Sequence, residues 1–193
     1  MSLTTGETTG VEALLRWQHP RDGVRAPATF IAIAEQTGMI GEIGDWVMDQ
    51  VALILSGWHR QGIKRRLSFN ISPRQLERID FFTRLRHAFA AQDVPLSMVE
   101  LEFSETAAMQ CSEAELAEIA ALRAEGASIA IDDFGTGYSN LARLRSMPRD
   151  RGKLDQHLIA DIETSERARI VGQAVNTLTQ GVTWYSCARE GGK

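Results

Sequence analysis

The sequence predicts an α/β fold of the TIM-like (β/α) barrel type, and three observations carry that reading. Strand-like and helix-like segments alternate along most of the 193 residues, which implies parallel strands joined by crossover helices. Polar residues recur where successive strand segments end. Asn70, Glu102 and Asp132 with Asp133 close three of them, and Lys153 lies in a fourth, at intervals of 32, 30 and 21 residues. Each interval is about one strand-plus-helix unit. Finally, no strand is followed by G-x-G-x-x-G and there is no P-loop, so the simplest open-sheet nucleotide folds lose their signatures and the barrel gains.

The elements justify themselves in order. "PATFIAIAEQ", residues 27–36, reads as a short helix with Gly38 just past its end. In "GEIGDWVMDQVALILSGWHRQG", Ile43, Val47, Val51, Ile54 and Trp58 fall at helical spacing, and the stripe through Trp46, Val47, Val51 and Trp58 is expected in the core; Gly62 suits a C-terminal stop. The period then changes to two. In "RLSFNIS", Leu67, Phe69 and Ile71 alternate with Ser68, Asn70 and Ser72, a strand pattern. "PRQLERIDFFTRLRHAFAAQ" returns to helix, with a break near Asp80. "MVELEFSE" is a second strand, with Val99, Leu101 and Phe103 on one face and Glu100, Glu102 and Ser104 on the other. "SEAELAEIAALRAEG" is a helix that Ser112 caps and Gly126 follows. "ASIAIDD" is a strand, "YSNLARLRSM" a short helix ended by Pro148, "GKLD" a short strand, "SERARIVGQAVNTLTQG" a helix and "VTWYSC" a last strand.

Composition narrows the class. With 44% hydrophobic and 24% charged residues the chain can bury one sizeable core, and one domain is expected. The net charge of −4 argues against a basic surface for a DNA or RNA polymer, while leaving room for one small anion in a local pocket. Two cysteines, Cys111 and Cys187, lack metal or redox spacing, so a reducing cytoplasm is the expected location. No run is long and apolar enough to suggest a membrane segment. The four histidines, His19, His59, His87 and His157, show no ligand spacing and are expected at the surface.

The strand-end acids carry the chemistry. In a barrel, the C-terminal ends of all parallel strands open onto one face, where active sites sit. Several carboxylates and an amide oxygen gathered there repel one another unless a cation lies among them. Oxygen donors of this kind suit Mg²⁺, Mn²⁺ or Ca²⁺ better than zinc. Blander readings stay open for each residue alone. Asn70 can cap the helix that begins near Pro73. Asp132 and Asp133 can be turn chemistry. Glu12, Glu102, Glu105 and Lys153 can be solvated charges. By spacing alone, a metal-dependent barrel enzyme of another chemistry, such as proton abstraction by a lysine base, also fits.

Five blocks then resemble one family in order: "VEALLRW" at residues 11–17, "FNIS" at 69–72, "ELEFSET" at 100–106, "IDDFGTGYSNL" at 131–141 and "KLD" at 153–155. They are similar to the motifs of EAL domains, bacterial phosphodiesterases specific for the second messenger cyclic di-GMP. The resemblance covers about residues 10–181. It implies a modified TIM barrel and hydrolysis of one phosphodiester of cyclic di-GMP to linear pGpG with Mg²⁺ or Mn²⁺, two ions being expected. It further implies Glu12, Asn70, Glu102 and Asp132 as metal ligands, with Asp133 holding or sharing the second metal. Lys153 would orient the attacking water, Arg16 would contact phosphate, and Glu105 would steady the loop from Asp132 to Leu141. That loop region is also where the family implies a homodimer contact.

Both ends depart from the family pattern. Residues 1–10, "MSLTTGETTG", are read as a polar N-terminal segment or cloning scar in place of a strand with a "QP" motif; residues 11–193 are read as one EAL-like domain, atypical after about 181. Near the end, "AREGGK" stands where the family has "AEGVE", whose first Glu serves as general base; Glu190 is its nearest counterpart. The barrel norm is about 250 residues, so the barrel is expected to be incomplete, with the first strand and the last strand-helix units missing or altered. Two functional expectations follow: a cyclic di-GMP phosphodiesterase of reduced activity, or a degenerate EAL domain that binds the nucleotide or a protein without turnover.

Overall fold

The computed structural model describes residues 10–134, 147–154 and 183–185, with the backbone alone at 133, 134, 154 and 183–185. The core of the fold is a six-stranded sheet, built from β1 (Gly10–Ala13), β4 (Arg66–Ile71), β5 (Val99–Ser104), β6 (Ser128–Phe134), β7 (Arg151–Leu154) and β8 (Thr183–Tyr185), paired in that order. Every pairing is parallel. Between β1 and β4 lie an antiparallel hairpin, β2 (Trp17–His19) and β3 (Gly23–Arg25), and the helices α1 (Ile31–Thr37) and α2 (Ile40–Arg60). Helices α3 (Pro73–Leu76) and α4 (Phe81–Ala90) cross from β4 to β5, and α5 (Glu105–Gln110) and α6 (Glu113–Ala124) from β5 to β6.

The period of two divides the sheet into an apolar and a polar face. Leu67, Phe69, Ile71, Val99, Leu101, Phe103, Ile129 and Ile131 are all buried on one side. Helices α2, α4 and α6 cover them with Met48, Val51 and Leu55, with Phe81, Leu85 and Phe89, and with Leu116, Ile119 and Leu122. Burial of large side chains of this kind contributes about 1.5–3 kcal/mol each, and it fixes which face the other residues take. The register sets Glu12 beside Ser68, Asn70 beside Glu102, and Glu100 beside Ser128, so the opposite face is polar.

The polar face is concave. Lys153 on β7 and Glu12 on β1 are four strands apart, about 19 Å across a flat sheet. Their side chains nonetheless meet at 3.1 Å. Only a sheet curled toward its polar side allows that contact, so the described strands form part of a barrel.

Local signals explain the helix boundaries. Ser112 and Ser72 each complete a capping box, with Glu115 and Gln75 respectively. The break expected near Asp80 separates α3 from α4, and Asp80 is the residue that precedes α4. The helix expected at residues 27–36 is divided into a 3₁₀ turn, Pro27–Thr29, and α1. The hairpin β2–β3 and helix α5 were not legible in the periodicity. Trp46 is a correction: it is 55% exposed, because the buried stripe of α2 runs through Ile40, Met48, Val51, Ala52 and Leu55 instead. The helices expected at 138–147 and 165–181 fall almost entirely outside the described residues. Among the described residues, no helix is long and apolar enough to cross a membrane.

Candidate metal centre

Five neighbouring strands bring their C-terminal ends to the same rim of the concave face. Glu12 comes from β1, Asn70 from β4, Glu102 from β5, Asp132 from β6 and Lys153 from β7. Glu12, Glu102 and Asp132 each offer one carboxylate oxygen, all within 4.8 Å of one another. Asn70 Nδ2 donates to Glu12 Oε1 at 3.0 Å. Lys153 Nζ lies 3.1 Å from Glu12 Oε2 and 2.5 Å from Glu102 Oε1. Residues separated by up to 141 positions in the chain therefore form one cluster. Asn70 is not the cap of the following helix; Ser72 performs that role by accepting from the Arg74 backbone N–H.

The acids of the doublet are set apart by register. Ile131 pairs with Gly152 and Phe134 with Leu154, so Asp132 and Asp133 together oppose the single residue Lys153. An extra residue of this kind is a bulge, and bulges re-aim side chains beside functional sites.

Electrostatics at Glu102 favour a cation. Its residue is 0% exposed, and its buried carboxylate has the Lys153 ammonium and the Ser68 hydroxyl as polar neighbours. Burial pushes its carboxyl up to about 7, against the pull of the Lys153 ammonium. Burial also opposes the charge of Lys153, but the Glu102 carboxylate outweighs it, helped by Asp132 and Glu12, and the ammonium is held above its usual range. Lysine is thus the firmer holder of the proton, and Glu102 is a buried carboxylate whose burial cost Lys153 and Ser68 only partly offset. Three carboxylates with an adjacent amide, all oxygen donors of hard character, fit a divalent cation such as Mg²⁺ or Mn²⁺. Rotation of the Asn70 amide exchanges its donor for its carbonyl oxygen, which makes it available to the same ion.

The remaining expected residues divide into three groups. Arg16 is exposed just beyond β1, where its Nη1 donates to the Leu15 carbonyl at 2.8 Å. Glu105 is buried, 4% exposed, at the first position of α5. Asp133 lies in β6, but its side chain is outside the described residues, as are most of the loop to Leu141 and Glu190. A groove of about 410 Å³ adjoins the cluster. Leu14, Pro27, Ile31 and Pro73 line it together with Glu12 and Asn70. Two residues of the polar face escaped the sequence reading: Glu100 and Arg151, whose side chains lie 2.8 Å apart beneath the cluster. The signal for Glu100 was present in its phase with Glu102. Nothing in the sequence pointed to Arg151 as its partner.

Comparisons with known proteins agree with this geometry. A family profile, EAL domain, matches residues 1–188. The cyclic di-GMP phosphodiesterase PA2567 of Pseudomonas aeruginosa is 39% identical over 175 residues, which are 91% of this chain and 30% of that protein. The cyclic di-GMP phosphodiesterase PdeR of Escherichia coli is 34% identical over 177 residues, 92% of this chain and 27% of that one. The chain therefore spans less than a third of the length of either relative. Among solved structures, the PaMucR phosphodiesterase in complex with c-di-GMP superposes with a TM-score of 0.81 at 34% identity, covering 90% of this chain and 70% of its own.

Proposed function

The chain belongs to the EAL domain family, and on that premise we propose that it binds cyclic di-GMP and hydrolyses one of its phosphodiesters to linear pGpG in the bacterial cytoplasm. The observation that carries the proposal is the oxygen-only cluster of Glu12, Glu102 and Asp132, with Asn70 and Lys153, at one mouth of the curled sheet. Bound Mg²⁺ or Mn²⁺, as two ions with Asp133 in the second site, would supply Lewis acidity and charge neutralisation to the phosphodiester. The chain's own residues do the rest. Glu12, Glu102, Asp132 and Asn70 would hold the cations. The protonated Lys153 orients the attacking water and faces the charge that grows on the phosphoryl oxygens. Arg16, exposed beside the mouth, takes the second phosphate, and the apolar groove accepts a guanine base. Water adds to phosphorus, the bond from phosphorus to one ribose oxygen breaks, and that oxygen leaves with a proton.

A second reading is favoured by the sequence at 188–193, where "AREGGK" replaces the family's "AEGVE" and the general base has no secure counterpart. A positioned base contributes about 10²–10⁴-fold, so binding with slow or no turnover is the alternative. One experiment separates the two. The purified chain is incubated with cyclic di-GMP and Mn²⁺ or Mg²⁺, and linear product is resolved chromatographically, in parallel with a calorimetric titration of the nucleotide. Cation-dependent product that Glu12→Gln abolishes supports hydrolysis. Binding without product supports the second reading, and neither binding nor product refutes both. The homodimer through the loop from Asp132 to Leu141 is part of the same proposal and is tested by sedimentation.

A further inference from the structure

The groove beside the metal cluster holds one charge that the cluster does not use. Its lining is mainly apolar and includes Leu14, Pro27 and Ile31, while Glu12 and Asn70 make it continuous with the cluster. Glu35 of α1 lines it as well. Ile31 and Glu35 are four residues apart on α1, so they share one face of that helix. The Glu35 side chain is half-buried there. One of its oxygens is fixed in place, because Ser72 Oγ donates to Glu35 Oε1 at 2.6 Å. Ser72 is itself held twice. Its Oγ accepts from the Arg74 backbone N–H at 3.2 Å, and its own N–H donates to Oε1 of the buried Gln75 at 3.0 Å. Among the described residues, no cation pairs with Glu35, and its Oε2 has no donor.

We propose that Glu35 is a specificity-determining residue that reads the base-pairing edge of a guanine in this groove, with Ser72 as the positioning residue that aims it. This rests on the groove taking a base of cyclic di-GMP, as read above. An ionised carboxylate only accepts hydrogen bonds, so a ligand that meets it well must bring donors. Guanine presents two adjacent donors on one edge, N1–H and the N2 amino group. Oε2 is open to one of them, and Oε1 keeps a lone pair beside the Ser72 hydroxyl for the other. Such charge-assisted, two-point contacts are the strong ones. Adenine turns the N1 lone pair to the same place, acceptor against acceptor, so the contact that admits guanine also rejects adenine. The apolar walls take the faces of a flat ring and distinguish one purine from another only weakly, whereas a polar edge contact discriminates strongly. A carboxylate that only tied α1 to the end of β4 would need its one oxygen on Ser72 and would gain nothing from facing an apolar groove.

The test changes a group on the ligand as well as a side chain. The full chain and Glu35→Gln are titrated calorimetrically with cyclic di-GMP and with cyclic di-IMP, which lacks only the N2 amino groups. Mn²⁺ is present, and a chelator replaces it where product forms. Glutamine keeps the size of the side chain but leaves a single acceptor, so the N2 amino group loses its partner. The original chain should bind cyclic di-GMP more tightly than cyclic di-IMP by about tenfold or more, as a hydrogen bond to a charged group implies. That preference should shrink by about tenfold in Glu35→Gln, and the double comparison cancels whatever the other base contributes. A purely structural Glu35 would weaken both nucleotides by the same factor and leave the preference unchanged. That outcome overturns the inference and leaves the phosphodiesterase reading intact, as does an original chain that binds the two nucleotides equally. Thermal melting establishes folding; if Glu35→Gln fails to fold, Glu35→Met takes its place with the same expectation. An original chain that binds neither nucleotide overturns both the inference and the reading beneath it.

Discussion

Replacing Glu102 by Gln measures how far the fold is strained for its cation. The carboxyl stands at about 7 against an ordinary value of 4.5, burial being the main cause. The folded chain thus holds this proton more tightly than the unfolded chain. The stability it contributes is fully present below about pH 4.5 and is lost as pH rises through about 7. At about 1.4 kcal/mol per pH unit, the loss is on the order of 3 kcal/mol. Gln keeps the shape of the neutral acid and does not titrate. Urea unfolding of both chains in the presence of a chelator, from about pH 5 to about pH 8, should therefore show the variant gaining on the original by roughly 3 kcal/mol. Taking the difference cancels the titration of groups common to both chains. Added Mn²⁺ should reverse the order near neutral pH, because the ion stabilises the carboxylate and finds a weaker site in the amide. Stability curves that stay parallel across this range, or diverge in the other sense, would refute the strain.

Other outcomes follow from single contacts. A Cβ at Gly44 would run into the buried Gln75 amide of the α3 capping box, so Gly44→Ala should lower stability by about 1–2 kcal/mol in urea unfolding. Ser112→Ala removes the cap of α6 and should cost about 1 kcal/mol by the same measurement. Burial alone would raise the Asp150 carboxyl, but Arg123 and the Ile129 backbone N–H outweigh it and hold it below its usual range. Its folded value being depressed, it stabilises above the unfolded pKa, and that stability is lost as pH falls. Asp150→Asn should therefore cost about 1.5–3 kcal/mol at neutral pH, with the gap to the original narrowing in thermal melts at acid pH.

The barrel was legible because two periods dominate its sequence. Leu67, Phe69 and Ile71, and Val99, Leu101 and Phe103, alternate cleanly and are buried as expected. Strand-end residues were legible for the same reason, since a period of two places Asn70 and Glu102 on the face opposite the core. The long helix α2 was found, yet Trp46 was assigned to the wrong side. Over 21 residues, several apolar stripes satisfy helical spacing, and only packing against β4 selects the one through Met48, Val51 and Leu55. The hairpin β2–β3 is two three-residue strands, too short for any period to register. Helix α5 is six residues long and follows β5 without a break, its start marked by Ser104 accepting from the Ala107 N–H.

The adjacent acids Asp132 and Asp133 show how sequence, register and chemistry meet. In a regular strand, consecutive residues point to opposite faces, and one of the two carboxylates would enter the apolar layer beside Ile131. Burying a charge there without a partner is far costlier than a local break in pairing. The pairing breaks where that cost would fall: two residues of β6 stand against Lys153 alone. Lys153 keeps its register with Tyr185 of β8 on the other side, and its ammonium reaches Glu102 and Glu12 across the polar face. An acidic doublet at this point thus calls for a bulge, and the bulge leaves Asp132 with Glu12 and Glu102 while pairing resumes at Phe134, which no strand period would have announced.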